Sequence, residues 1–155
     1  INKGNKILWC GNGGSAAQAQ HLSTELVCGL RSHERIALAS ISLTTDTSLL
    51  TAWANDTDFN TVFARQIEAI GNAGDNFIAI STSGSSINIV EAVKNAKKMG
   101  IISVGFIGSR KCELKEICDI NISVPSADTQ RIQEGHILIG HIICEAVENQ
   151  ICNIN

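Results

Sequence analysis

Short apolar runs alternate with longer amphipathic stretches along almost the whole chain, and this alternation predicts parallel strands joined by helical crossovers. The strand-like runs cover residues 6–10, 36–43, 76–81, 101–107 and 120–124. Each is short and continuously apolar, the pattern of a strand buried on both faces. The helical stretches cover residues 15–28, 47–55, 59–70, 87–99, 111–118 and about 128–149. In the last of these, Ile132, His136, Ile139, Ile143 and Val147 recur at three- and four-residue steps, the period of one helical face. Ile137, Leu138, Ile142 and Ala146 widen the apolar surface beyond one stripe. Such a helix is expected to be buried on more than one side, within this domain or against a second subunit. The single proline, Pro125, follows the fifth strand, and Gly71, Gly74 and Gly100 mark helix ends. The reading is one α/β domain over residues 1–155: a three-layer α/β/α sandwich on a five-stranded, doubly wound parallel sheet. Ligands are expected at the carboxyl ends of its strands.

A length of 155 residues suits one domain able to bury a core without disulfides or a structural metal. The sequence starts at Ile1 and enters its first strand within a few residues, so an N-terminal helical segment is expected to be missing ahead of it. Net charge is −3 and the twelve Lys and Arg are scattered, which argues against nucleic acid as a direct ligand. No apolar run approaches the roughly 20 residues that cross a bilayer, and no secretory leader is visible. A cytoplasmic protein that does not engage membranes is expected. The six cysteines, Cys10, Cys28, Cys112, Cys118, Cys144 and Cys152, show no metal-ligand spacing and read as reduced, largely buried thiols.

Two loops change the picture from fold to chemistry. Gly11-Asn12-Gly13-Gly14-Ser15 follows the first strand and opens the first helix, a place where backbone N–H groups and the helix dipole favour an anion. Gly11-x-Gly13-x-x-Ala16 loosely fits a dinucleotide fingerprint, but the second strand ends Ser42-Leu43-Thr44-Thr45 without the acidic residue that fingerprint needs. Ser81-Thr82-Ser83-Gly84-Ser85-Ser86 follows the third strand and leads into another helix. One N-cap needs one hydroxyl, and this loop offers five. Together the loops favour a phosphorylated polyol over a dinucleotide.

His21 and Glu25 leave one face of the first helix at i and i+4, which by spacing alone is a common stabilising pair. Their place beyond an anion-favouring helix start gives the pair a second reading, as groups serving the far end of a small phosphorylated ligand. On the final helix His136 reads as a satisfied core imidazole. His141, between Gly140 and Ile142, has no local polar partner and requires a ligand, a metal or a distant acid.

At these residues the chain resembles the sugar isomerase (SIS) family, flavodoxin-like in fold, and within it the phosphoheptose isomerases. The resemblance rests on CGNGGSAAQAQHLSTEL, the Ala54-Asn55-Asp56 step, ISTSGSS and RIQEGHILIGH, and spans residue 5 to the C-terminus. It implies conversion of sedoheptulose 7-phosphate to D-glycero-D-manno-heptose 7-phosphate for lipopolysaccharide or capsule heptose. By the same resemblance Asn12, Gly13, Gly14, Asn55 and Asp56 would line the sugar, and Ser81, Thr82, Ser83 and Ser86 would hold the phosphate. His21, Glu25, Gln133 and His141 would bind a zinc ion, with Glu25 and His141 as the acid-base pair and Glu25 and Gln133 also touching substrate. A homotetramer is implied. Some members carry an aspartate where this chain has Gln130, and Asp128 is close enough to stand in.

Aldose-ketose isomerisation through an enediol needs a base, a proton donor and a stabiliser of oxyanion charge, and these residue types supply all three. A glutamine amide is a poor zinc ligand. Gln133 and His141, moreover, are eight residues apart, about 12 Å of rise in one continuous helix. Either the helix begins after Gln133, or composite sites take one ligand from each of two subunits. Two other functions fit the same fold. One is a non-catalytic tetramer that binds the bacterial replication initiator; that relative lacks the acid-base pair kept here as Glu25 and His141. The other is a sugar-phosphate sensor, which would need an attached DNA-binding module.

Overall fold

The computed structural model describes residues 4–152. Strand β1 (Ile7–Gly11) leads into helix α1 (Gly14–Cys28), strand β2 (Ser40–Ser42) and helix α2 (Thr47–Asp56). A single 3-10 turn at Phe59–Thr61 precedes α3 (Val62–Ile70), then β3 (Asn76–Ile80), α4 (Ile87–Lys98) and β4 (Ile102–Ile107). Helix α5 (Glu113–Ile117), β5 (Ile120–Ser123) and the long α6 (Thr129–Cys152) complete the chain. All pairings are parallel and the strand order is β2-β1-β3-β4-β5, the doubly wound arrangement expected.

Alternation along the strands builds two cores. Leu8 and Cys10 of β1, with Phe77 and Ala79 of β3, face a cluster containing Phe63 and Ile67 of α3 and Ile89 and Val93 of α4. Trp9, Ile78 and Ile80 face the opposite way, onto Leu22 and Leu26 of α1 and Cys144 of α6. Helices α1 and α6 thus form one outer layer and α2 to α5 the other. The chain turns to opposite sides of β1 and β3, which places the switch point, and the ligand site, between their carboxyl ends.

Several boundaries differ from expectation. The second strand is Ser40–Ser42 rather than residues 36–43. The backbone before it is committed elsewhere: Leu38 N–H donates to Leu26 C=O on α1, and Arg35 donates to Ile36 C=O. The stretch 59–70 divides because Asp58 accepts from Asn60 N–H and closes a separate turn. Helix α5 is shorter than residues 111–118. Strand β5 is not buried on both faces, since it sits at the sheet edge with Ile120 half exposed.

The last helix is continuous from Thr129 because Asp128 caps it, accepting from Gln130 N–H at 2.9 Å. Gln133 and His141 therefore share one helix, which removes the alternative that α6 starts after Gln133. One oxygen of the Asp128 carboxylate is engaged in this cap. Among the described residues no helix is long and apolar enough to cross a membrane. Cys10, Cys28, Cys112, Cys118 and Cys144 are free thiols, all but Cys28 buried; the side chain of Cys152 lies outside the described residues.

Candidate active site

The glycine turn after β1 brings the start of α1 against the start of α6. Gly13 adopts φ +54°, a left-handed conformation that a side chain would strain. At Gly14 a Cβ would fall 2.6 Å from Gln133 Nε2, so the absence of a side chain there leaves room for the Gln133 amide against the start of α1. Gln18, one turn on, fastens the approach by donating to Gln133 C=O at 2.7 Å.

Beneath this junction lies a pocket of about 180 Å³ lined by Asn12, Ser15, Ile80, Ser81, Thr82, Ser83, Ser86, Thr129 and Gln133. It offers hydroxyls and amides and no ionisable side chain. The Ser81 hydroxyl organises the loop, lying 3.4 Å from the hydroxyls of both Ser83 and Ser86 and accepting from Gly84 N–H at 3.1 Å. Neutral donors at the start of α4 suit an anion held by hydrogen bonds and the helix dipole rather than by a cation.

Two turns along α1 a second group assembles. His21 Nε2 lies 2.7 Å from His141 Nε2 and 3.3 Å from Glu25 Oε1, with the imidazoles edge to face. One ligand atom from each of His21, Glu25 and His141 falls within 4.8 Å of the others. His141 thus finds the distant partner that its own helix does not provide. Two imidazoles and a carboxylate at this spacing are a donor set that could hold a divalent metal ion. His21 is half exposed and Glu25 largely covered, so the group opens to solvent on one side.

The remaining candidates separate. Gln133 lies eight residues before His141 on α6, fronting the hydroxyl pocket rather than the His21–Glu25–His141 group. Asn55 and Asp56 sit exposed at the end of α2, bonded to each other at 2.8 Å, and do not line that pocket. His136 is fully buried as expected, but only half satisfied: its Nε2–H donates to Ile107 C=O at 3.1 Å while Nδ1 has no partner. Burial pushes its pKa below the usual imidazole range, against the opposing bond to Ile107, so it is a neutral core residue.

Sequence reading passed over two features here. Asn88, in the first turn of α4, pairs with Asn12; a polar residue inside the apolar Ile87-Asn88-Ile89-Val90 run was the available signal. Glu148 was the other. It is completely buried near the end of α6, accepting from Arg35 and from the N–H groups of Leu30, Arg31 and Ser32. Burial alone would raise its pKa, but these donors outweigh it and hold the carboxyl at about 2.

Comparison with known proteins identifies the family. A family model described as the SIS domain matches residues 1–108. A phosphoheptose isomerase from Burkholderia pseudomallei (strain K96243) is 50% identical over 151 residues, covering 97% of this chain and 76% of the relative. The chain belongs to the phosphoheptose isomerase family of SIS domains. A second member, from Campylobacter concisus, is 53% identical over 148 residues, 96% of this chain and 78% of its own. The solved phosphoheptose isomerase of Neisseria gonorrhoeae superposes with a TM-score of 0.90 at 41% identity, covering 96% of this chain and 79% of that one. Family membership does not favour the initiator-binding alternative, in keeping with the presence of Glu25 and His141.

Proposed function

We propose that the protein is an isomerase that interconverts sedoheptulose 7-phosphate and D-glycero-D-manno-heptose 7-phosphate, in the supply of heptose for bacterial surface polysaccharide. The observation that carries this reading is the convergence of His21, Glu25 and His141 beyond a hydroxyl-lined anion pocket on the same pair of helices. Ser81, Thr82, Ser83 and Ser86 hold the phosphate with hydroxyls and the start of α4. Asn12, with the bare backbone of Gly13 and Gly14, lines the sugar.

Glu25 is assigned as the base. It takes a proton from C1 of the ketose, the electron pair forms the C1–C2 double bond, and the carbonyl oxygen at C2 gains a proton to give the enediol. A proton then leaves the C1 hydroxyl as C2 is protonated, which completes the aldose. His141 serves as the partner that moves the oxygen-bound proton, and its contact with His21 orients the ring. The donor set of His21, Glu25 and His141 fits a zinc ion, which when bound would supply a Lewis acid for the carbonyl.

Gln133 is the fourth ligand implied by family resemblance, and it lies too far along α6 to join that set within one chain. The reading supported is a composite site in a homotetramer, with Gln133 of one subunit facing the histidine group of another. Leu138 and Ile142 support this, being 61% and 57% exposed on the helix that carries both residues. An apolar groove of about 320 Å³ beside Ile143 and Val147 adds further unpaired surface. Asn55 and Asp56 are assigned to the sugar of such a shared site.

The test is incubation of purified protein with sedoheptulose 7-phosphate, with and without a chelator. Expected are heptose 7-phosphate formation, loss of activity on chelation, and recovery with zinc. Absence of turnover combined with binding to the replication initiator would promote the other reading.

A further inference from the structure

Asn88 is 4% exposed in the first turn of α4, immediately after the hydroxyl loop. Asparagine is a poor helix former, and burying its amide is costly unless it is paired. Both polar atoms of this amide turn to one residue on another loop. Asn88 Nδ2 donates to Asn12 Oδ1 at 2.9 Å, and Asn12 Nδ2 donates back to Asn88 Oδ1 at 2.9 Å. Such a reciprocal pair fixes the plane of both amides and leaves each with one N–H and one oxygen lone pair. Asn12 lines the pocket, so its spare donor and acceptor are available to a ligand there.

The pair also bridges the two loops that matter. Asn12 belongs to the glycine turn after β1, whereas Asn88 belongs to the helix after β3, and these strands are neighbours at the switch point of the sheet. We propose that Asn88 is a positioning residue: acting through Asn12, it sets the spacing between the loop that holds phosphate and the turn that presents the sugar to Glu25 and His141. This rests on the isomerase reading above. Ser81, Ser83 and Ser86 reach the phosphate without help from Asn88. Removing the pair therefore leaves the anion bound and frees the reacting end of the sugar, which lowers the rate of chemistry more than affinity.

The test compares wild type, Asn12→Ala, Asn88→Leu, Asn88→Ser and the Asn12→Ala/Asn88→Leu double variant. It measures kcat and KM for sedoheptulose 7-phosphate, and inhibition by inorganic phosphate. Either Asn88 variant is expected to lower kcat about tenfold while KM and phosphate inhibition move less than about threefold. The double variant is expected to be no slower than Asn12→Ala, because the two residues act as one unit. A kcat within about twofold of wild type, a loss that adds fully to that of Asn12→Ala, or phosphate inhibition that weakens in proportion would each overturn the role. Should Asn88→Leu fail to fold, Asn88→Ser combined with Asn12→Ala carries the same criteria. Wild-type protein that leaves the sugar phosphate unchanged overturns the isomerase reading itself; active wild type with unaffected Asn88 variants overturns the positioning role alone.

Discussion

His21 and Glu25 show how position changes the meaning of a spacing. As an i,i+4 pair they are ordinary, and only their contact with His141, 120 residues away, makes them chemistry. If Glu25 is the base, Glu25→Gln is expected to lower kcat by roughly a hundredfold or more, since general acid-base catalysis contributes on that scale. His141→Gln should do likewise; steady-state turnover of both variants, beside unchanged thermal unfolding, checks the assignment. Ser86→Ala is expected instead to raise KM about tenfold with little change in kcat, the worth of one hydrogen bond to a charged group. The motif residues were legible in the sequence because each loop sits at a strand end with an unusual density of glycine or hydroxyl groups. The meeting of His21 with His141 was reached only through the family resemblance, and Asn88 not at all, because both join residues remote along the chain and local periodicity carries no record of such pairings.

At the level of elements, the sequence pattern located every strand and helix but not how far each extends. Strand β2 stops short because Leu38 N–H is committed to Leu26 C=O on α1 and the Ile36 carbonyl to the Arg35 side chain, while β5 lies at the sheet edge with Ile120 half exposed. The end of α6 is tied to the loop after α1 by the buried Glu148–Arg35 pair at 2.8 Å. Glu148→Ala would leave Arg35 buried without its partner, and is expected to cost about 3 kcal/mol in chemical denaturation. The pH dependence follows from the same groups. Glu148 is held at about 2 against an ordinary 4.5, so its contribution is complete above that ordinary value and is lost as pH falls from 4.5 towards 2. The depressed pKa of His136 acts in the same direction at higher pH, because the unfolded chain takes up its proton near 6.5 while the folded core resists. Stability is therefore expected to decline from about pH 6.5 downward, and His136→Gln to remove the upper part of that decline. Urea unfolding across the pH range reads both effects.

For the whole molecule, the doubly wound sheet puts the anion pocket at its switch point, while α6 carries Gln133 and His141 to places about 12 Å apart. The sequence already contained that conflict, and the uninterrupted helix sharpens it in favour of sites shared between subunits. The exposed Leu138 lies one turn from both His141 (i,i+3) and the exposed Ile142 (i,i+4) on α6, so assembly and catalysis are expected to fail together. Leu138→Glu combined with Ile142→Glu should give a smaller species by light scattering with activity reduced at least about tenfold. Mixed tetramers of inactive Gln133→Ala and His141→Ala chains should regain activity, since some sites would then draw both intact residues from different subunits.

The central claim is that Glu25 moves a carbon-bound proton of a heptose phosphate. Its most direct measurement is NMR of sedoheptulose 7-phosphate incubated in deuterated water with wild-type and Glu25→Gln protein. The account predicts that wild type introduces solvent deuterium at C1 of the ketose and C2 of the aldose, and that Glu25→Gln introduces essentially none. Equal incorporation by both proteins would contradict it.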